Sequence, residues 1–326
     1  MTFYNLSSIR TMRKKYCLRV CLKGIQFAIL LSLVSYVIIL SSSQSFEDMV
    51  RGAMNGSEHS HESDHSMVLV TAAHETNFRA VQNLIGSIHF WSPRRQIVIF
   101  DVGLNDAQRD MIMAWCHVSL LWRSMPNNLL PHFYDLDNPS WKYLCVKKAV
   151  DMYGTILWID PGSDVRSPID VIETILKRDG YFFIKNGENN VADHSHFETL
   201  QQFGVGSMDL SLRPILSDDL QGFVRGSQAY TSILIPLLDC VTNTLCMIPG
   251  EANSKNHHSV LSVAAAAASN IELKTHTKLV SFERKDFPSQ PEMVHGILVY
   301  IASRKSNEYW NKVKNCTVKA EHKQEV

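Results

Sequence analysis

Two carboxylates stand close together in TILWIDPGSDVR, residues 155–166: Asp160 ends an apolar run, and Asp164 follows a Pro161-Gly162-Ser163 turn. Fully extended, four residues would hold the acids about 13 Å apart, whereas a turn at Pro161-Gly162 folds them toward one point. Two carboxylates suit a hard divalent cation, Mn²⁺ or Mg²⁺, that keeps positions open for phosphate oxygens. A solvated loop carrying two acids is the bland alternative. Other groups could serve the same chemistry. Lys142 and Arg225 could neutralise phosphate, Arg225 as a bidentate partner, although a surface lysine and a structural ion pair are the ordinary roles. Asp218-Asp219, read as a loop before GFVRGSQ, could supply a general base. Asp101 closes the QIVIF run and could approach a ribose or base, or cap a helix. His257, in NHHSVLS, could contact a metal or acceptor, or lie exposed at a helix start.

The elements that must position these groups follow from periodicity. MVLVTAA (67–73), QIVIF (96–100), VSLLW (118–122) and TILWI (155–159) are short continuous apolar runs, as in strands buried on both faces. Between them, Phe78, Val81, Leu84, Ile85, Ile88 and Trp91 recur at helical spacing. Asn105 with Gln108 forms a capping box, and a further helix runs from Ser140 to a stop at Gly154. Ser167-Pro168 opens another helix before YFFIK. Alternation at this spacing predicts βαβ units and a mostly parallel sheet flanked by helices. In such sheets ligands sit beyond the carboxyl ends of the strands, where Asp160 lies.

The chain has 326 residues and no net charge, but the charge is uneven. Residues 1–23 hold six basic residues and no acid, leaving 26 basic against 32 acidic in the remainder. The mildly acidic body carries no nucleic-acid footprint. GIQFAILLSLVSYVIIL, Gly24–Leu40, is uncharged and with its Ser-rich flank just spans a hydrocarbon core. Basic residues before it predict a cytosolic N-terminus and a lumenal body, a single-pass type II arrangement in the Golgi or ER membrane. A cleaved signal peptide is the rival, without a clear small-x-small cleavage site. The expected organisation is a basic tail (1–23), a signal-anchor (24–40), a polar stem (41–66), a lumenal domain (67–318) and a polar tail (319–326). Cys17 and Cys21 fall on the cytosolic side, and Asn55 and Asn315 lie in lumenal N-glycosylation sequons. Among the five lumenal cysteines, Cys240 and Cys246 are expected to pair, while Cys116 and Cys145 read as buried thiols.

Dehydrogenase, P-loop NTPase, zinc-protease and esterase motifs are absent. The anchor, stem and acids closing a central strand resemble Golgi glycosyltransferases of the GT-A fold. IVIFDVGLNDAQ, SWKYLCVKKAVDMYGTILWID and GFVRGSQAYTSILIPLLDCVTNTLCMIPG are similar to an animal family of nucleotide-diphospho-sugar-transferase-like proteins. The resemblance covers about residues 68–270. It implies a nucleotide-sugar donor, a glycan, glycoprotein or glycolipid acceptor, and a metal under the diphosphate. Two departures weigh on catalysis: Pro-Gly-Ser separates the acids where the Golgi glycosyltransferases of the GT-A fold have Asp-x-Asp, and His257-His258 replace an expected Asp-Gln. A non-catalytic relative that binds a glycan or a partner enzyme is the alternative.

Overall fold

The structure, a computed structural model, describes residues 66–122, 129–206, 209–247, 259–276, 280–281, 299–303 and 308–316. All belong to one compact unit, Ser63–Val326. Gly24–Leu40, Asn55 and His257 lie outside the described residues. Among the described residues no helix is long and apolar enough to cross a membrane.

Six strands form the main sheet: β1 (Val68–Ala73), β2 (Ile97–Asp101), β3 (Val118–Leu121), β4 (Thr155–Ile159), β6 (Tyr181–Asn190) and β7 (Pro214–Val224), in the order β3-β2-β1-β4-β7-β6. The first four are mutually parallel, whereas β7 runs against both β4 and β6. The sheet is therefore mixed. Chain connections run outward from β1 to β2 and β3, then return to place β4 on the other side of β1. This reversal makes the carboxyl ends of β1 and β4 a topological switch point.

Both faces are dry. Helix α1 (Phe78–Trp91) presents Val81, Leu84, Ile85 and Ile88 to Leu69, Ile97, Leu157 and Ile159 on one face. Helix α2 (Asp106–Met113) starts at the Asn105–Gln108 capping box and packs Ile112 on the same side. Helix α3 (Ser140–Tyr153) packs Tyr143, Val146, Ala149 and Val150 against Val70, Ile156 and Trp158 on the opposite face. Continuous apolar strands follow from this, because alternate residues of β4 enter different cores. Gly154, at φ +79°, ends α3 and lets the chain turn directly into β4.

A smaller sheet, β5-β9-β8, joins β5 (Ser163–Val165) to β9 (Val299–Ser303) and β8 (Val280–Ser281). The C-terminal segment 308–316 is a strap across α1. Tyr309 N donates to Asn83 Oδ1 (2.8 Å), and Lys314 N to His89 Nδ1 (3.0 Å). A Cys116–Cys316 disulfide locks the strap down, so Cys116 is bonded and not the thiol expected from its apolar neighbours. The 200-residue separation hid that pairing from local reading. Cys240 and Cys246 are joined, with Cα atoms 5.3 Å apart, and Cys145 is a buried thiol.

Candidate active site at the carboxyl end of β4

Residues 158 and 160 share the α3 face of the sheet, so Asp160 leaves β4 on the side of Trp158. Trp158 Nε1 donates to Asp160 Oδ1, and Lys142 Nζ donates to Asp160 Oδ2 at 2.9 Å. The same ammonium reaches the Asp218 carboxylate at 3.4 Å. Lys142 projects from the first turn of α3 and is buried.

Asp218 and Asp219 arrive on β7 rather than on a loop. The antiparallel ladder pairs Ile159 with Leu220 and continues as Asp160 N donating to Asp219 O (2.9 Å). Facing β6, the register passes from Phe183–Gln221 to Lys185–Leu216, so β7 carries three extra residues over that interval. Such a bulge re-aims side chains, and here the acids beside Lys142 lie inside it. Two adjacent acids in PILSDDLQGFV disguise the strand in the sequence. Tertiary pairing with β4 and β6 overrides that local signal.

Three carboxylates thus meet one lysine. Burial alone would lower the Lys142 pKa, but the charges of Asp160, Asp218 and Asp219 outweigh it and raise it well above the ordinary value. Burial, then the negative charges of Asp160 and Asp218, push the Asp219 carboxyl up to about 7, with Lys142 opposing. Asp219 is partly exposed, whereas Asp218 is buried and turned onto Lys142. The Gln221 amide nitrogen donates to Asp218 O (3.0 Å), while its buried Oε1 has no hydrogen-bond partner among the described residues. Acceptors therefore exceed donors in the cluster. Such a set can take a cation or a donor-rich ligand.

The second acid of the motif goes elsewhere. Ser163 N donates to Asp160 O (3.0 Å), closing the Pro161-Gly162 turn, and the chain enters β5. Asp164 is fully buried on the α1 side, held by Arg166 (3.0 and 3.1 Å) and Asn83 (3.4 Å). The expectation that Asp160 and Asp164 share one ion is corrected, because the turn delivers them to opposite faces of the sheet.

Asp101 is also structural. Its carboxylate accepts from Gly103 N (3.0 Å) and Leu104 N (2.8 Å) and pairs with Arg109 (2.6 Å), so it shapes the β2–α2 loop instead of reaching for a nucleotide. Arg225 follows Val224, which pairs with Thr155 at the amino end of β4. Its guanidinium donates to Asp151 O (2.8 Å), and it stands at the opposite end of the sheet from Asp160. Lys142 does not lie on the surface facing a phosphate, since it is the internal counter-ion of the acids. Trp158 and the bulge around Gln221 are site features that local sequence reading missed. A lysine 18 residues before a strand-end acid was the available signal.

A divalent cation can be tested against this donor set. Among the described residues no group of three or more His, Cys, Asp or Glu side chains is arranged to hold a metal. Mg²⁺ and Mn²⁺ need only one or two carboxylates when phosphate and water complete the shell. Asp160 and Asp219 fit that smaller requirement, in hard oxygen donors and in the excess of negative charge around them. Asp164 does not belong to the set.

No family model matches this chain, and no curated protein matches it. Solved structures similar to it include the apo WbbM bifunctional glycosyltransferase, at 11% identity over 64% of this chain and 38% of that one, TM-score 0.36. Another is the galactosyltransferase LgtC in complex with donor and acceptor sugar analogues, at 11% identity over 60% of this chain and 70% of that one, TM-score 0.40. Mouse xyloside xylosyltransferase 1, in its apo form, is similar at 9% identity over 66% of this chain and 86% of that one, TM-score 0.41. The chain thus spans well under half of WbbM.

Proposed function

We propose that this chain is a glycosyltransferase that moves a sugar from a nucleotide-sugar to a glycan, protein or lipid acceptor in the secretory lumen. One observation carries the reading: Asp160, Asp218 and Asp219 from two strands converge on Lys142 at the switch point of an α/β sheet. Rigid strands deliver fixed charge to the place where such sheets bind ligands. The sequence resemblance in residues 68–270 supports the same reading.

Asp160 and Asp219 would hold Mn²⁺ or Mg²⁺, which when bound offsets the charge of the donor diphosphate. Lys142 orients Asp160 and balances Asp218. With Asp219 engaged in holding the metal, the proton of the acceptor hydroxyl passes to solvent. As that oxygen bonds to the anomeric carbon, the bond to the diphosphate breaks and the nucleoside diphosphate leaves with the electron pair. Asp218 positions Lys142 and touches neither substrate.

The test is thermal shift of the full chain with UDP- and GDP-sugars, with and without Mn²⁺, followed by release of nucleoside diphosphate. Asp160→Asn should abolish the metal-dependent shift. Asp219→Asn should retain part of it and lower turnover at least a hundredfold. Binding without turnover in the wild-type chain would make this a non-catalytic relative. Normal binding and turnover in both variants would sink the site assignment.

A further inference from the structure

A concavity of about 290 Å³ opens where the strap crosses α1 and α2. Its lining includes Gln82, Met111, Trp115, Trp310, Asn311 and Asn315. The volume is close to the lower end of the roughly 300–1,000 Å³ range of small-ligand sites. Trp310 is 39% and Met111 45% exposed, which leaves apolar surface open to water beside three amide side chains. Arg79 lies over the Trp310 ring at 3.8 Å and steadies it. An aromatic ring beside amides suits a pyranose, whose C–H face is apolar and whose hydroxyl and acetamido groups need hydrogen bonds.

One of those amides is special. Asn315 is exposed, and it heads the sequon Asn315-Cys316-Thr317. We propose that this concavity seats the first sugar of an N-linked glycan carried on Asn315. The attachment and the seat share one residue, so the sugar needs no separate encounter. Effective concentration then favours a contact that would be weak for a free monosaccharide.

Attachment must precede closure of the strap. In the folded chain Asn315 bridges Trp115, Cys316 N donates to Ala114 O (2.9 Å), and Cys316 is bonded to Cys116. A transferase would need that backbone free. Transfer uses a lipid-diphosphate-linked oligosaccharide. The Asn315 Nδ2–carbon bond forms at the anomeric centre, the carbon–oxygen bond to diphosphate breaks, the lipid diphosphate takes the electron pair, and the amide loses one proton. The Cys116–Cys316 bond and the glycan therefore compete in time for one segment.

The inference rests on the lumenal placement proposed above and not on chemistry at the acid cluster. The full chain would be expressed in animal cells and its glycopeptides mapped. Asn315 should be occupied, and Cys116→Ser should raise that occupancy. Trimming to a single sugar should leave the melting temperature unchanged, complete removal should lower it by several degrees, and Trp310→Ala should erase that difference. If Trp310→Ala does not fold, trimming of the wild-type chain decides alone, with Asn315→Gln as the unglycosylated reference. A glycan on Asn55 with Asn315 bare overturns this inference and leaves the topology intact; bare residues at both overturn the two together. An occupied Asn315 whose first sugar has no effect on melting shows that the groove is not its seat.

Discussion

Lys142 stands among three acids that would otherwise face one another across a buried gap. Removing it, as in Lys142→Met, leaves Asp160 and Asp218 without their counter-ion, and breaking one side of a buried ion network costs roughly 3–5 kcal/mol. Urea denaturation should show a loss of that size, and Lys142→Met combined with Asp218→Leu should recover part of it. Asp219 behaves in the opposite sense to an ordinary ion-paired carboxylate. Its folded pKa, about 7, lies above the usual 3.8, so between those values the folded state holds a proton that the unfolded chain has lost. That contribution to stability is fully present below about pH 4 and declines as pH rises to about 7. Asp219→Asn should flatten this slope in melting temperature measured against pH. An unchanged slope would place the titrating group elsewhere.

The C-terminal strap makes its own predictions. His89 is buried in α1; its Nδ1 accepts from Lys314 N, leaving Nε2–H to donate to Cys116 O (2.8 Å). Burial is the main cause lowering its pKa, with the Cys116 carbonyl opposing and nearby Lys314 and His117 adding to the effect. A histidine held neutral contributes stability above its ordinary value of 6.5 that is lost as pH falls below it. Hydrogen exchange of the Lys314 amide should therefore accelerate, after correction for intrinsic rate, from pH 7 to pH 5. Gly86 permits the close crossing, because a Cβ there would sit 1.9 Å from Tyr309 O. Gly86→Ala should displace the strap and expose Trp310 fluorescence to quencher. The Cys116–Cys316 bond closes a loop of about two hundred residues, for which chain entropy gives up to about 5 kcal/mol. The Cys240–Cys246 loop is short, and Cys240→Ser should cost only about 2 kcal/mol. Paired denaturation curves of the two serine variants should preserve that order.

At the scale of the whole chain, six basic residues before Gly24 predict a cytosolic N-terminus. In intact microsomes protease should remove only a short N-terminal piece, and glycosidase should shift the protected remainder. Digestion of the body would defeat the topology and with it the lumenal setting of the proposed reaction. The strands β1, β2, β3 and β4, the α1 periodicity and the Asn105 cap were legible from the sequence because each is a local consequence of burial or of one turn of backbone bonding. Asp160 was legible for the same reason, as an acid ending a dry strand. Its partners were not. Lys142 comes from the preceding helix, and Asp219 from a strand about sixty residues later that runs backward and bulges. The Pro161-Gly162 turn was visible too, but its direction depends on β5 pairing with β9, whose Ile301–Ser303 lie far downstream. Local chemistry thus determined which elements form and which residues end them. Tertiary pairing alone decided that Asp164 would be buried against Arg166 and that Asp219 would stand beside Asp160, because a side chain's face is set by the register of distant strands.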